Sequence, residues 1–205
     1  PTIYKGRFRE GNFNRIVAQE IVTQLVADGY DAQLITPEDE DISLGERVRR
    51  VNKICDKLGA ANVVLVSIHS HFYDELQPNK PSQFIETFAH TCIDAGADVI
   101  IGHGPHELQG VEIYKGGVIF YSLGNFCFGG HTNPRDKDTV LIQQEVIRTH
   151  DGAVSLGELT LIPCSISSSD RNNYQPTPYA PDSEEYARVL SKLDGTYTGS
   201  DLPIG

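Results

Sequence analysis

The chain has 205 residues, 39% of them hydrophobic and 22% charged, enough for one domain with a sizeable core and unlike the composition of a disordered segment. Its 28 acidic residues against 17 Lys and Arg give a formal net charge of -11, which points away from a nucleic-acid partner, because phosphates must be met by clustered cations. No apolar run is long enough to cross a bilayer, and the opening PTIYKGRFREGNF lacks the apolar centre of a signal peptide.

In chain order, residues 12–27 predict an amphipathic helix, with Phe13, Ile16, Val17, Ile21, Leu25 and Val26 at three- and four-residue spacing and Gly29 as its stop. DAQLIT (31–36) reads as a short strand ended by Pro37. Ser43 and Glu46 form a capping box that opens a helix with Val48, Val51 and Cys55 on one face; Arg47, Arg49 and Arg50 are its solvated side. NVVLVSI (62–68) is a continuous apolar, β-branched run, the pattern of a parallel strand buried on both faces. A helix starts at Pro81 and Ser82, with Phe84, Ile85, Phe88, Ala89, Cys92 and Ile93 on its buried side, and DVIIG (98–102) is a second buried strand.

The pattern then changes. Gly116-Gly117 joins VEIYK to VIFYS, and Asp151-Gly152 lies between two further alternating runs; both are hairpin signals. Residues 165–181 read as a surface loop and 183–193 as a last helix. The expected fold is a single α/β domain over 1–205. Its mixed sheet would have a parallel three-strand core near 31–36, 62–68 and 98–102, helices on both faces, and antiparallel hairpins in the C-terminal half. The four cysteines show no C-x-x-C spacing, which fits neither a zinc ribbon nor a dense disulfide scaffold, and Cys55 and Cys92 read as small hydrophobes on apolar helix faces.

Two clusters can carry chemistry. SIHSH (67–71) and GHGPH (102–106) both fall at the C-terminal ends of the apolar strands, the edge where open α/β sheets bind ligands. Imidazoles suit zinc, manganese or iron, and glycine-rich turns let several converge on one ion; the alternative is that each histidine hydrogen-bonds locally. His90, His131 and His150 read as solvent-exposed. Asn125, in SLGNF, either orients a ligand or caps a turn, and Glu10 suits the positive end of the first helix.

From about residue 61 to 197 the chain resembles the CapA family of capsule and poly-γ-glutamate synthesis proteins, through VVLVSIHSH, FAHTCIDAGADVIIGHGPHELQGVEIYKG and VIFYSLGNFCF. The resemblance implies a metallophosphoesterase-like fold and places His69, His103 and His106 on metal-binding motifs. That family's Asp and Asn-Leu-Glu motifs have no counterpart in this sequence, so the site it implies is incomplete. Residues 6 to about 69, GRFREGNFNRIVAQEIVTQLVADGYDAQLI and DISLGERVRRVNKICDKLGAANVVLVSIH, resemble a zinc-dependent N-acetylmuramoyl-L-alanine amidase, in which Glu10 and His69 match two of three zinc ligands. The two resemblances meet at VSIH, so the chain reads as a chimera of an amidase-like segment (1–69) and a CapA-like segment (61–205).

Three functions follow. The first is a CapA-like metal-dependent hydrolase with His69, His103 and His106 as ligands of a divalent ion (zinc, manganese or iron), Glu10 as an added carboxylate and His71 as an acid–base group. The second is a zinc amidase acting on peptidoglycan, and the third a folded remnant without catalysis. The implied partners are a cell-envelope polymer or a small phosphoester or acyl substrate, and the implied location is the cell envelope or outside the cell.

Overall fold

The computed structural model describes residues 10–29, 31–35, 37, 42–58, 63–70, 80–127, 133–134 and 136–198. They fall into two compact units, Pro1–Val51 and Asn52–Gly205.

The first unit contains α1 (Glu10–Ala27) and most of α2 (Leu44–Leu58). Helix α2 starts as the capping box predicts: the Glu46 amide donates to Ser43 Oγ at 3.2 Å. Its cations are engaged rather than merely solvated. Arg49 and Arg50 both bind the Glu46 carboxylate, and Arg50 Nη1 also donates to the Ile35 carbonyl at 2.7 Å. Two expectations fail here. Residues 31–35 are not a strand, since DAQLIT brings few apolar residues and Pro37 follows at once. The apolar spacing of α1 gives a helix, but Ile16, Ile21 and Val26 are each 54% exposed rather than buried.

The second unit holds β1 (Leu65–His69), α3 (Gln83–Asp94), β2 (Val99–His103), β3 (Leu108–Tyr114), β4 (Gly117–Leu123), β5 (Asp138–Arg148), β6 (Val154–Ser165), β7 (Thr177–Pro178) and α4 (Glu184–Leu193). One sheet runs β1-β2-β4-β3 and the other β5-β6-β7. The sheets are mixed and antiparallel respectively, so the α/β class with antiparallel strands in the C-terminal half holds. The parallel core does have three strands, but the third is β4, with Val99 opposite Val118 and Ile101 opposite Phe120. The hairpin signal is local to β3 and β4, with the turn at Lys115 (φ 49°) and Gly116 (φ 89°) one residue earlier than expected. Insertion of β4 beside β2 is a long-range choice that no local pattern announces.

Among the described residues β1 lies at one edge of the sheet, and its exposure alternates. Val66 and Ile68 are buried while Leu65 is 55% exposed, so it is not covered on both faces as its apolar run suggests. Helix α3 packs on β2 and β4 through Ile85, Phe88, Ala89, Cys92 and Ile93. Ser82 caps it, accepting from the Ile85 amide. Phe84, expected on that buried side, lies 38% exposed. Helix α4 packs Val189 and Leu193 against Leu108 and Val140, joining β3 to β5. The segment after β6 reads as loop but buries Ile166, Ser167 and Asn172 and contributes β7. No described helix is long and apolar enough to cross a membrane.

Candidate functional site

His69 and His103 close β1 and β2, and their Cα atoms are direct register partners in the parallel pair. Backbone contacts fix this. At the start of β1, the Val64 amide donates to Asp98 Oδ2 at 2.7 Å, and the Asp98 amide donates back to the Val64 carbonyl at 2.9 Å. At its end, the Ser70 amide donates to the His103 carbonyl at 2.8 Å. The glycines flanking His103 allow the fit. A Cβ on Gly102 would stand 2.0 Å from the Tyr121 carbonyl oxygen. One on Gly104, whose φ is +121°, would stand 2.1 Å from the Ser70 carbonyl oxygen. The G-H-G string is therefore a close-packing requirement as much as a flexible turn.

His106 follows in the same loop with a left-handed backbone, φ 64°. Asn125, just past β4 and 8% exposed, grips it twice: His106 Nδ1 lies 2.8 Å from Asn125 Oδ1, and Asn125 Nδ2 donates to the His106 carbonyl at 3.1 Å. In the sequence Asn125 reads as a ligand-orienting residue or a turn cap; in the structure it binds the ring and the backbone carbonyl of His106. Glu107, only 2% exposed, sits directly after His106; sequence reasoning passed over it, although a carboxylate adjoining a histidine cluster is the available signal.

Burial pushes the His103 imidazole below the usual histidine range, and the neighbouring His69 pushes it the same way. A neutral imidazole is the form that offers a lone pair to an electrophile or an ion. The donors fit a borderline divalent ion in kind. Among the described residues no three His, Cys, Asp or Glu side chains gather closely enough to hold one, so the described set supplies a register pair and a separately oriented third imidazole. His71 and the side chain of Glu10 lie outside the described residues, as does His131.

His90 is not the solvent-exposed histidine the helix pattern suggests. It stacks on Tyr114 with ring centroids 4.0 Å apart, and its Nε2 lies 3.0 Å from Glu112. Tyr121 Oη donates to the same Glu112 carboxylate. Partial burial raises the Glu112 pKa, but the hydrogen bonds from Tyr121 and His90 outweigh it and hold the carboxyl below its ordinary value. The partners come from β3 and β4, which the spacing within α3 does not report. His150 is exposed, as expected.

Sequence comparison places this geometry in a family. A profile described as "Bacterial capsule synthesis protein PGA_cap" matches residues 11–130. "Capsule biosynthesis protein CapA" of Bacillus anthracis is 34% identical over 88% of this chain and 42% of its own length. "PGA biosynthesis protein CapA" of Bacillus subtilis is 36% identical over 63% of this chain and 31% of its own. A "probable polyglutamine synthesis accessory protein" of Mycobacterium tuberculosis is 33% identical over 39% of the chain and 22% of its own. The chain thus spans less than half the length of these relatives. The profile begins inside the segment that resembles the amidases and covers it through residue 69, so the capsule family accounts for that segment too. With more than half its residues matched, the chain belongs to the bacterial capsule synthesis protein family, PGA_cap.

Proposed function

We propose that the chain acts at the cell envelope on a capsule polymer of the poly-γ-glutamate kind, as a hydrolase that depends on a divalent ion whose binding draws His69, His103 and His106 together. The observation that carries this reading is the register pairing of His69 with His103 at the ligand-binding edge of a parallel sheet. Asn125 holds a third imidazole in the adjoining loop. An ion bound there supplies Lewis acidity at an acyl or phosphoryl centre. It also answers an electrostatic problem: a chain of net charge -11 repels a polyanion unless a local cation bridges the two. His71 is the proposed acid–base group. The ion is zinc, manganese or iron, the metals that imidazole donors accept.

The test is elemental analysis by mass spectrometry of the purified chain and of His69→Ala, each after incubation with the three metals and dialysis. About one equivalent retained by the parent and lost in the variant supports the site. Release of new amino termini from poly-γ-glutamate, dependent on that metal, supports the activity. Retention of no metal by the parent chain sinks the reading.

A further inference from the structure

The two hydrogen bonds between Asn125 and His106 determine where the imidazole proton sits. The His106 carbonyl oxygen can only accept, so the amide group 3.1 Å from it must be the Asn125 nitrogen. The atom facing His106 Nδ1 at 2.8 Å is therefore Asn125 Oδ1, which also only accepts. Nδ1 must then carry the hydrogen. Turning the amide over would set two acceptors against each other at the carbonyl and two nitrogens at the ring. In water, neutral histidine prefers its proton on Nε2, so Asn125 imposes the less common tautomer.

The grip also maintains an unfavourable backbone. His106 at φ 64° is a non-glycine residue in the left-handed region. The second bond, to its own carbonyl, braces that conformation. Asn125 is in turn placed by β4 and β5: Gly124 (φ +69°) bridges to Thr139, and Thr139 Oγ1 donates to the Leu123 carbonyl at 3.0 Å.

We propose that Asn125 is the positioning residue that fixes His106 as its Nδ1–H tautomer and presents Nε2 as the donor atom of this site. Only the identity of what Nε2 meets rests on the metal-dependent reading above.

The experiment is two-bond 1H–15N correlation of the metal-free chain at about pH 8, where histidine is neutral, with His106 assigned by His106→Gln. The parent is expected to show the Nδ1–H pattern at His106. Asn125→Ala should shift it toward Nε2–H with the His90 and His150 signals unmoved, which certifies the fold. Asn125→Asp, which keeps an acceptor at Nδ1, should retain the parent pattern. An Nε2–H pattern in the parent, or an unchanged one in Asn125→Ala, overturns the proposal. Titration with zinc alone should show binding about 10- to 100-fold weaker in Asn125→Ala, the usual loss when a ligand's orienting partner is removed. If zinc binds the parent and His106→Gln equally while the tautomer pattern holds, the metal reading fails and the positioning role of Asn125 stands.

Discussion

His69 and His103 face each other across β1 and β2 as register partners, and His103 feels the charge of His69. Burial lowers the His103 pKa first, and the nearby His69 lowers it further. An NMR titration should give His103 a midpoint below the ordinary value of about 6.5, and His69→Ala should move it part of the way back. The stability consequence has a definite sign. Between the depressed native pKa and about 6.5 the unfolded chain binds the extra proton and the native chain does not, so stability falls as pH falls through that window and is flat above it. Urea midpoints from pH 8 to pH 5 should drop less for His103→Asn than for the parent. Equal drops would remove His103 as the source.

The glycines beside His103 are the steric condition of that pairing. Gly104→Ala combines a φ of +121° with a contact at 2.1 Å, and Gly102→Ala drives a methyl group to 2.0 Å from a β4 carbonyl. Left-handed strain alone costs about 1–3 kcal/mol, and backbone cannot yield as a flexible side chain would. Each variant should unfold at lower urea than the parent. In Gly104→Ala the Ser70 amide, which donates to the His103 carbonyl, should also lose protection from hydrogen exchange. Parent-like protection at Ser70 would show that the loop closes without the glycine.

What the sequence disclosed divides along local and long-range lines. β1 and β2 were legible because apolar β-branched runs end abruptly at histidines, and their parallel pairing followed from the helix between them. The pairing partner of β2 on its other side was not: β4 signals a hairpin, and nothing local says that the hairpin inserts beside β2. DAQLIT reads as a short strand, and its described residues 31–35 form none. At the candidate site, the placing of His69 and His103 at adjacent strand ends was legible from clustering. The hold of Asn125 on His106 was not, because 19 residues separate the partners. His90 was misread for the same reason, its stacking partner Tyr114 and its carboxylate Glu112 arriving from another element.

The cysteines should separate cleanly by reactivity. Burial pushes the Cys92 thiol up to about 12, with Cys55 adding to the shift, and burial raises Cys164 as well. Cys127 is exposed. The thiolate is the reactive form, so a disulfide reagent at pH 8 should label Cys127 quickly in the native chain and the other three only after denaturant is added. Cys127→Ser should abolish the fast phase. A fast phase surviving in that variant would mean that the helix α3 packing around Cys92 opens readily.

Asp138 links α4 to the strand that supports Asn125. Its carboxylate, 2% exposed, accepts two bonds from Arg188 at 2.8 and 2.7 Å and lies 3.0 Å from Lys192 Nζ. Burial raises its pKa, but Arg188 and Lys192 outweigh that and hold it below the ordinary carboxyl value. The native state therefore binds fewer protons than the unfolded chain just below that value. The stabilisation is complete above about pH 4 and is lost as pH falls through the ordinary carboxyl pKa near 3.9 toward the native one. Asp138→Asn strips the charge from a buried cluster and leaves Lys192, itself 6% exposed, less compensated; a loss of about 3–5 kcal/mol is expected, read as a lower urea midpoint at pH 7. Because Thr139, next along β5, holds the Leu123 carbonyl, the variant should also weaken the Nδ1–H signature of His106 at temperatures where it remains folded. A lower midpoint with an unchanged signature would mean that α4 supports the fold alone and that β4 fixes Asn125 without it.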